Sequence, residues 1–432
     1  MREKIIIENI SSDDAFARII AMSKLFDPFV LLNSNKQFNI NVSELYQTKY
    51  DWLAAFGKHS ELISTNVGIF DSLKKYSNQS NDWIFGHLNY ELYTETECIE
   101  APLVSNSFFP IIYFFKPIYV VYFIDNCITV EYLPELANEY FINLLCEKAN
   151  KPFGHAHPQK SIHLKCNVSK EAYIESIEKI KKHISRGNLY ETNYCIEFYN
   201  SNVEIDPVDA YLRLNTLSPS PFSAFYKIDS NYLLCSSPER YLSKTGYRLV
   251  SQPIKGTLSS SMNTSILKNS LKERTENIMI TDLVRNDLSR IAQKGTVKVD
   301  EQCGIYTFSK VHQMISTISC QVDKQIHWVD MAKETFPMGS MTGAPKIKAI
   351  EISNMFEPSA RGIYSGTLGY ISPDFDFDFN VVIRSIVYNQ TKKYVSFHVG
   401  SAITSMSNPQ SEYDECLLKA QSMLEALNAE IC

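Results

Sequence analysis

The sequence Gly339-Ser340-Met341-Thr342-Gly343-Ala344-Pro345-Lys346 is the most informative part of a longer segment, Phe336 to Arg384. Apolar residues at helical spacing follow it from Ala349 to Phe356, and then comes Arg361-Gly362-Ile363-Tyr364-Ser365-Gly366. Two glycine-containing turns that flank one helix place backbone N–H groups and basic side chains where an anion can bind. A P-loop is excluded, because Lys346 follows proline and the glycine spacing is wrong. The segment therefore predicts an anion site of another kind.

Composition limits the class of protein. The chain has 432 residues, 44% of them apolar, so it can bury a large core in one large domain or in two or three. It carries 48 acidic and 42 basic residues. A nucleic-acid surface needs a clustered basic face, and no such cluster is visible in the sequence.

The cysteines and the N-terminus indicate a reducing compartment. The ten cysteines are scattered and no two form a C-x-x-C pair, which favours free thiols over a zinc site or a disulfide framework. His155 and His157 could share a metal ion, but two loop histidines without a third ligand are usually solvated. The segment Met1-Arg2-Glu3-Lys4 is charged and does not begin a signal peptide, so we expect a cytoplasmic protein.

One apolar segment, from Phe108 to Ile124, has nearly the length of a membrane span. Pro110, Lys116 and Pro117 interrupt it, and its β-branched and aromatic residues favour strands. We predict two buried strands with a turn near Lys116-Pro117.

Regular elements are predicted elsewhere from periodicity. In the first region we expect a strand at Lys4–Ile7 and a helix at Ser12–Met22. A helix from Ser169 to Ile184, with Ser169 as N-cap and Gly187 just past its end, should precede a strand at 190–198 that is polar on one face. The polar segment 149–160 is typical of a surface connection. It divides the chain into two predicted regions, residues 1–155 and 160–432.

Two pairs of glutamates have the same spacing. Glu273 and Glu276 stand three residues apart in a helical run, as do Glu412 and Glu415, so each pair shares one helix face. Taken alone, such pairs are typical of a solvated surface.

Nine motifs in a fixed order resemble those of the chorismate-binding enzymes, a family that includes anthranilate, aminodeoxychorismate, isochorismate and salicylate synthases. They are GNLYE (187–191), SPERY (237–241), PIKGT (253–257), KERTEN (272–277), DLVRND (282–287), HQMIST (312–317), GSMTGAPKIKAIE (339–351), RGIYSGTLGYI (361–371) and SEYDE (411–415). The WIFGHLNYEL segment at 83–92 resembles an N-terminal element of the same family. The resemblance implies an α+β fold of two packed antiparallel sheets with flanking helices.

The resemblance also implies a magnesium site. In this family the two glutamate-bearing helices converge on one Mg²⁺ that binds the C1 carboxylate of chorismate. By that likeness Glu276 and Glu415 would ligate the ion directly, whereas Glu273 and Glu412 would act through water. A hard cation with oxygen ligands suits a substrate that carries carboxylates.

Lys255 is the residue that separates branches of the family. Its PIKGT motif resembles that of the aminodeoxychorismate synthases, whereas anthranilate and salicylate synthases have alanine at this position. The resemblance implies that Lys255 attacks C2 of chorismate to form a covalent intermediate as the 4-hydroxyl leaves, after which ammonia adds at C4. Only a deprotonated amine can attack, so we expect burial to lower the lysine pKa.

The remaining site residues also follow from the resemblance. His312 would be a general acid for the departing hydroxyl, although a satisfied core histidine is an equally good interpretation. Thr342 and Gly343 would line the ring pocket. Tyr364 and Arg384 would bind the enolpyruvyl carboxylate together with backbone N–H groups. The other substrate-binding positions are Gly400, Ser401, Ala402 and Lys419.

Two residues depart from the family pattern. Glu191 stands where the family usually has glutamine and where water-adding members have a catalytic lysine, which argues against a water-adding enzyme. Ala402 replaces a glycine and fits only if its φ is negative. Two further motifs predict structural ion pairs: Glu239 with Arg240 in a turn, and internal pairs within 282–287.

These features lead us to expect a transaminase-class, Mg²⁺-dependent enzyme that aminates chorismate to 4-amino-4-deoxychorismate for p-aminobenzoate and folate synthesis. Ammonia would come from a separate glutamine amidotransferase subunit or from free ammonium, since no cysteine lies in a Gly-x-Cys-x-Gly turn. The alternatives are an anthranilate synthase component, whose Leu-Leu-Glu-Ser stretch is absent, and a non-catalytic partner protein with the same fold.

Overall fold

The computed structural model describes residues 1–8, 11–35, 47–64, 68–100, 108–146, 161–308 and 311–432. The helices are α1 Ser12–Met22, α2 Ile69–Ser77, α3 Tyr93–Thr96, α4 Glu139–Cys146, α5 Lys170–Ser185, α6 Pro207–Leu217, α7 Thr264–Asn269, α8 Leu271–Ser289, α9 Trp328–Thr335, α10 Lys346–Phe356 and α11 Pro409–Leu427. The surface connection predicted at 149–160, with His155 and His157, lies outside the described residues.

The strands of the first third are β1 Glu3–Ile7, β2 Phe29–Asn33, β3 Trp52–Ser64, β4 Ile84–Leu88, β5 Ile112–Ile124 and β6 Cys127–Tyr132. Those that follow are β7 Ile162–Cys166, β8 Glu191–Asn200, β9 Phe222–Ile228, β10 Asn231–Ser237, β11 Arg240–Thr245, β12 Arg248–Gln252, β13 Ile254–Ser259, β14 Lys298–Thr307 and β15 Val311–Gln321. The last are β16 Gly343–Ala344, β17 Thr367–Ile371, β18 Phe377–Asn380, β19 Ser385–Asn389, β20 Tyr394–Thr404 and β21 Ala429–Ile431.

Antiparallel pairing links most of these strands into one continuous ribbon. From one end it runs β7, β8, β20, β19, β10, β9, β2, β3 and β5, and it continues through β4, β17, β18, β11, β12 and β15. β13 and β14 both pair with β15, and among the described strands β7 and β21 form a parallel pair.

The ribbon folds back on itself into two packed layers. Side chains from β2, β3, β9 and β10 meet those from β4, β5 and β17 in an apolar cluster that includes Val30, Phe85, Tyr226 and Leu368. A second cluster packs α1, α5, α6 and α11 on the outer face of one layer, and a third packs α2, α8 and α9 on the other. The prediction of an α+β fold with two packed antiparallel sheets and flanking helices is confirmed.

Both ends of the chain contribute to the same sheet system. Phe29 to Asn33 of β2 pair with Lys227 to Ser223 of β9, and Ile84 to Leu88 of β4 pair with Ile371 to Thr367 of β17. Strands from residues 1–155 are therefore built between strands from residues 160–432.

The apolar segment predicted as two strands is one long strand. β5 extends from Ile112 to Ile124 through Pro117, and a register shift in its partner β3 between Lys58 and Ser60 accommodates the proline. Lys116 is buried in this strand, where its ammonium donates to the carbonyl of Tyr76 and the hydroxyl of Ser80. Within the described part of the chain, no helix has the length and apolar character to cross a membrane.

The predicted helix signals agree closely with the structure. α1 occupies Ser12–Met22 as predicted, and α5 begins after Ser169, whose hydroxyl accepts from the N–H of Ala172. Gly187, just past α5, has a φ of 78°, a left-handed conformation that favours glycine.

β8, by contrast, is buried on both faces rather than one. Glu191 is 0% exposed, and Asn193 and Glu197 are also buried. The polar face of β8 therefore points into the protein and not to solvent.

Candidate active site

β8 is the strand around which the predicted site assembles. On one edge its Thr192 pairs with Gly343 of β16, and on the other its Cys195 pairs with Gly400 of β20. A side chain at Gly343, whose φ is +148°, would come within 2.1 Å of the Glu191 carbonyl oxygen, so only glycine permits this approach. Gly343 is thus brought beside Glu191 on one edge of β8, and residues 400–402 lie opposite Asn193 to Cys195 on the other edge.

Glu191 and Lys255 form a buried ion pair. The Nζ of Lys255 donates to Oε1 of Glu191 over 2.8 Å, and the lysine is 9% exposed. Burial alone would lower the pKa of Lys255, but the carboxylates of Glu191 and Glu276 outweigh it, and the pKa is raised. The expectation that burial would lower this pKa is therefore wrong, because neighbouring anions hold the ammonium form.

The two glutamate pairs lie on helices that approach each other near Lys255. Lys272 of α8 reaches across to α11, with its Nζ 3.2 Å from Oε1 of Glu412 and 4.0 Å from Oε1 of Glu276. On α11, Lys419 pairs with Glu415 at 2.8 Å and donates to the carbonyl of Gly400 at the same distance. The helices therefore share one network of charges.

Carboxylates are crowded in this network. Burial and the nearby charges of Glu191 and Glu273 raise the pKa of Glu276 to about 7, although Lys255 and Lys272 oppose the shift. Burial and Glu415 likewise raise the pKa of Glu273, against the opposing effect of Lys272. Buried carboxylates that repel one another favour the binding of an additional cation between them.

The donor atoms suit magnesium. Oε1 of Glu276 and Oε2 of Glu412 are buried and have no hydrogen-bond partner within the part of the chain that the structure describes. Among the same residues, no three His, Cys, Asp or Glu side chains form a ready-made metal cluster. Mg²⁺ commonly uses only one or two carboxylates and completes its shell with waters and substrate oxygens, so the residues present fit this ion.

The pair predicted between Glu239 and Arg240 does not form. Arg240 instead makes a two-bond salt bridge to Asp378, with both bonds at 2.9 Å, and donates to Gln252. Glu239 is buried and accepts a hydrogen bond from Ser340, with Lys255 and Arg384 nearby. Burial raises its pKa to about 7 against the effect of these partners. Sequence reasoning missed Glu239 as a site residue, because its motif was interpreted as a turn held by an ion pair, and Glu239 does lie in the short connection between β10 and β11.

His312 faces away from this centre. Its Nδ1 lies 2.9 Å from the hydroxyl of Thr307, and its Nε2 lies 3.1 Å from the carbonyl oxygen of Met262. Both ring nitrogens therefore have partners within the protein, as expected of a satisfied core histidine. The next residue, Gln313, points to the opposite side of β15 and lines a cavity with Arg384.

The predicted substrate residues are distributed around the same centre. Thr342 lies along β8, with its carbonyl accepting from the N–H of Asn193. Tyr364 is deeply buried, stacked on His398 and hydrogen-bonded with Cys195. Ser401 is buried, and its hydroxyl lies 3.0 Å from that of Tyr173.

The alanine substitution at 402 is accommodated by ordinary strand geometry. Ala402 pairs with Asn193 in the regular register of β20 with β8 and is not among the residues with positive φ. The departure from glycine therefore introduces no backbone strain. Arg384, in contrast, has a φ of 50°, which turns the chain sharply before β19.

The prediction of ion pairs within 282–287 holds only in part, because one of the two pairs reaches outside this motif. Asp282 and Arg285 pair on the surface of α8, whereas Asp287 pairs with Lys346 of α10 at 2.8 Å in the interior. The basic side chain of the Gly339–Lys346 segment is thus committed to a protein carboxylate and does not provide a free anion site.

Comparison with known proteins agrees with this geometry. A family model described as chorismate binding enzyme matches residues 27–425. The aminodeoxychorismate synthase component 1 of Escherichia coli is 35% identical over 268 residues, which cover 60% of this chain and 58% of that protein. That of Bacillus subtilis is 34% identical over 266 residues, covering 60% of this chain and 56% of that protein. The chain thus spans less than two thirds of the length of the curated relatives it matches.

The fold has a close counterpart among solved structures. Anthranilate synthase component I from Streptococcus pneumoniae superposes with a TM-score of 0.77 at 22% identity, covering 96% of this chain and 99% of that one. At this identity the likeness establishes the fold alone. The family match over residues 27–425 shows that the chain belongs to the chorismate-binding enzymes.

Proposed function

We propose that the chain is the chorismate-converting component of an aminodeoxychorismate synthase, which replaces the 4-hydroxyl of chorismate with an amino group. The observation that carries this proposal is Lys255, a buried ammonium 2.8 Å from Glu191 and close to Glu239 and Glu276. A lysine in this position has a proton acceptor beside it and a buried acid nearby. The relatives named aminodeoxychorismate synthase component 1 support the same reaction.

In the first half of the reaction, Lys255 passes its proton to Glu191 and the free amine attacks C2 of chorismate. The C2–N bond forms, both conjugated ring double bonds shift, from C1=C2 and C5=C6 to C1=C6 and C4=C5, and the C4–O bond breaks. Glu239, whose pKa of about 7 leaves about half of it protonated near neutrality, gives its proton to the departing oxygen, which leaves as water. In the second half, ammonia bonds to C4, both ring double bonds shift back, and the C2–N bond breaks. Two proton transfers restore the starting state: the amine of Lys255 recovers its proton from Glu191, and Glu239 takes one from the ammonium formed at C4.

Chorismate carries two carboxylates, and the site supplies a partner for each. Arg384 suits the enolpyruvyl carboxylate through its planar two-donor fork, together with the backbone of 400–402 and Tyr364. Thr342 and Gly343 would border the ring. We do not assign His312 a proton-transfer role, since both its nitrogens are used elsewhere.

The second carboxylate, on C1, belongs near the glutamates of α8 and α11. Glu276 and Glu415 would hold Mg²⁺ directly, and Glu273 and Glu412 would hold it through water. When bound, this ion offsets the negative charge of the substrate and fixes the ring. Lys419 of α11 donates to the carbonyl of Gly400 in β20. This bond holds α11, which carries Glu412 and Glu415, in a fixed position relative to β20.

The ammonia source would be a separate glutamine amidotransferase subunit, consistent with the designation component 1 of the relatives, or free ammonium. The natural setting would be a reducing compartment such as the cytoplasm, in keeping with the free thiols at Cys195, Cys235 and Cys416.

The test is mass spectrometry of the products after incubation of the purified chain with chorismate, ammonium and Mg²⁺. We expect a product that retains the enolpyruvyl group and has gained an amino group, and we expect Lys255→Ala to abolish it. Lys116→Met is the matched control, because it removes another buried lysine that lies in β5, outside the site. Anthranilate with pyruvate would overturn the proposal, as would an aminated product that Lys255→Ala forms at the wild-type rate.

A further inference from the structure

Gln313 is a buried side chain with unused hydrogen-bonding capacity. It lies in β15 and is 0% exposed, yet neither its Nε2 nor its Oε1 has a hydrogen-bond partner in the described part of the chain. A buried amide without partners costs free energy, so native proteins rarely keep one without a reason.

A second buried glutamine shows what a structural role requires. Gln252 is also 0% exposed, but its Oε1 accepts from Arg240 over 2.6 Å and its Nε2 donates to Thr317 over 3.0 Å. The same fold therefore satisfies one buried amide completely and leaves the other unsatisfied.

Gln313 lines a cavity beside the catalytic centre. Arg384 and Ser220 also line this cavity, with Phe308, Val311 and Pro238 as apolar walls. Gln313 pairs with Thr257 across the sheet, two residues from Lys255 on the same strand. Glu239 adjoins Pro238 and is close to both Arg384 and Lys255. The cavity is thus next to the groups proposed to carry out the reaction.

The free atoms of Gln313 specify what the cavity can bind. A side-chain amide offers a donor and an acceptor side by side, and Arg384 adds a guanidinium that suits a carboxylate. A ligand that satisfies both atoms of Gln313 and suits Arg384 has a carboxylate, an adjacent acceptor oxygen and a hydroxyl. Chorismate has this combination on neighbouring carbons, with the enolpyruvyl ether on C3 and the hydroxyl on C4.

We propose that Gln313 is a substrate-binding residue that recognises the C3–C4 edge of chorismate: its Nε2 donates to the enolpyruvyl group held by Arg384, and its Oε1 accepts from the 4-hydroxyl. After the exchange at C4, the same oxygen accepts from the new amino group. The inference rests on the proposed function and adds to it a residue that binds without transferring a proton.

The test compares Gln313→Leu with Gln252→Leu, each in the full chain. Without substrate, Gln313→Leu should raise the melting temperature, because it removes an unsatisfied buried amide, whereas Gln252→Leu should lower it. With substrate, Gln313→Leu should raise the KM for chorismate about 10- to 100-fold, the loss expected for a hydrogen bond to a charged group, with a smaller change in kcat. Gln313→Met, which is unbranched, provides a second variant with the same expectation.

Binding is also measured by calorimetry with chorismate in the Lys255→Ala background, where no turnover occurs. Gln313→Leu should weaken the dissociation constant by a similar factor. An unchanged dissociation constant and KM, or a fall in melting temperature like that of Gln252→Leu, would overturn the inference. If the wild-type chain binds chorismate but does not aminate it, the proposed reaction fails while the effect of Gln313 on binding remains measurable.

Discussion

The carboxylate of Glu191 contacts the ammonium of Lys255 directly, with 2.8 Å between Oε1 and Nζ, and the glutamate is completely buried. The second oxygen of Glu191 has no hydrogen-bond partner in the described residues. The lysine is therefore held as a cation until its proton is accepted, and the nearest acceptor is Glu191. Lys255 and Glu191, the proposed nucleophile and base, thus form one buried ion pair.

Replacing Glu191 with glutamine should change the pH dependence of the reaction. The carboxylate raises the pKa of Lys255, so its removal lowers that pKa and produces free amine at lower pH. In the wild-type chain Lys255 passes its proton directly to Glu191, whereas in the variant the ammonium must lose that proton to solvent. We therefore expect kcat/KM to fall near neutral pH and to recover as pH rises toward the lowered lysine pKa, so that the acid limb moves to higher pH. The measurement is the pH–rate profile beside that of the surface variant Glu351→Gln, and coincident profiles would contradict the prediction.

Replacing Lys272 with methionine should show that the carboxylates between α8 and α11 need a cation. Its ammonium lies 3.2 Å from Oε1 of Glu412 and 4.0 Å from Oε1 of Glu276, so the variant should be less stable without metal. Mg²⁺ should bind the variant at least about tenfold more tightly, since it no longer competes with an ammonium. Calorimetric titration with Mg²⁺ and melting curves with and without a chelator measure both effects. Equal Mg²⁺ affinity would show that Lys272 does not compete.

Replacing Lys346 with methionine should strongly destabilise the fold. Lys346 and Asp287 are each buried and pair at 2.8 Å, so the variant leaves an uncompensated carboxylate inside the protein. Breaking such a pair costs about 3–5 kcal/mol. Lys348→Met is the control on the same helix, because its pair with Glu351 is exposed and should contribute less than about 1 kcal/mol. Urea unfolding measures both, and similar losses would contradict the prediction.

Replacing Glu91 with glutamine should flatten the dependence of stability on pH. Glu91 is buried and accepts from the N–H of Gly362, and burial raises its pKa to about 7. Because the folded-state pKa lies above the ordinary value, the folded protein binds the extra proton. The contribution of Glu91 to the free energy of unfolding is therefore fully present below pH 4.5 and is lost as the pH rises to about 7.

The loss at Glu91 amounts to about 3 kcal/mol between these limits. Unfolding free energies at pH 5 and pH 8 should differ by less in Glu91→Gln than in the wild-type chain. A difference that is the same in both would mean that the carboxyl is not the source.

Local signals in the sequence predicted the helices well. The N-cap Ser169, the spacing of apolar residues and Gly187 define α5 without tertiary information. β5 was predicted less well, because Pro117 normally breaks a strand and only the bulge in β3 allows it to continue. The strand was correctly expected to be buried, but its continuity depends on its partner.

The candidate site was predicted in part. The glutamates of α8 and α11 and Lys255 do converge, although spacing alone favoured a solvated surface. The raised pKa of Lys255 was not foreseen, because it depends on Glu191 and Glu276, which are distant in sequence. His312 and Gln313 are neighbours in the chain, and only the direction of β15 decides which of them faces the cavity.

The pairing of β2 with β9 and of β4 with β17 has a consequence for building hybrid enzymes. A chimera that takes residues 1–146 from one relative and the remainder from another must preserve two antiparallel registers at the seam. A one-residue slip in either would turn the buried side chains of that strand outward. Exchange of segments between relatives should therefore succeed when both strands of each pair, β2 with β9 and β4 with β17, come from the same relative. It should fail when the crossover separates the two strands of a pair.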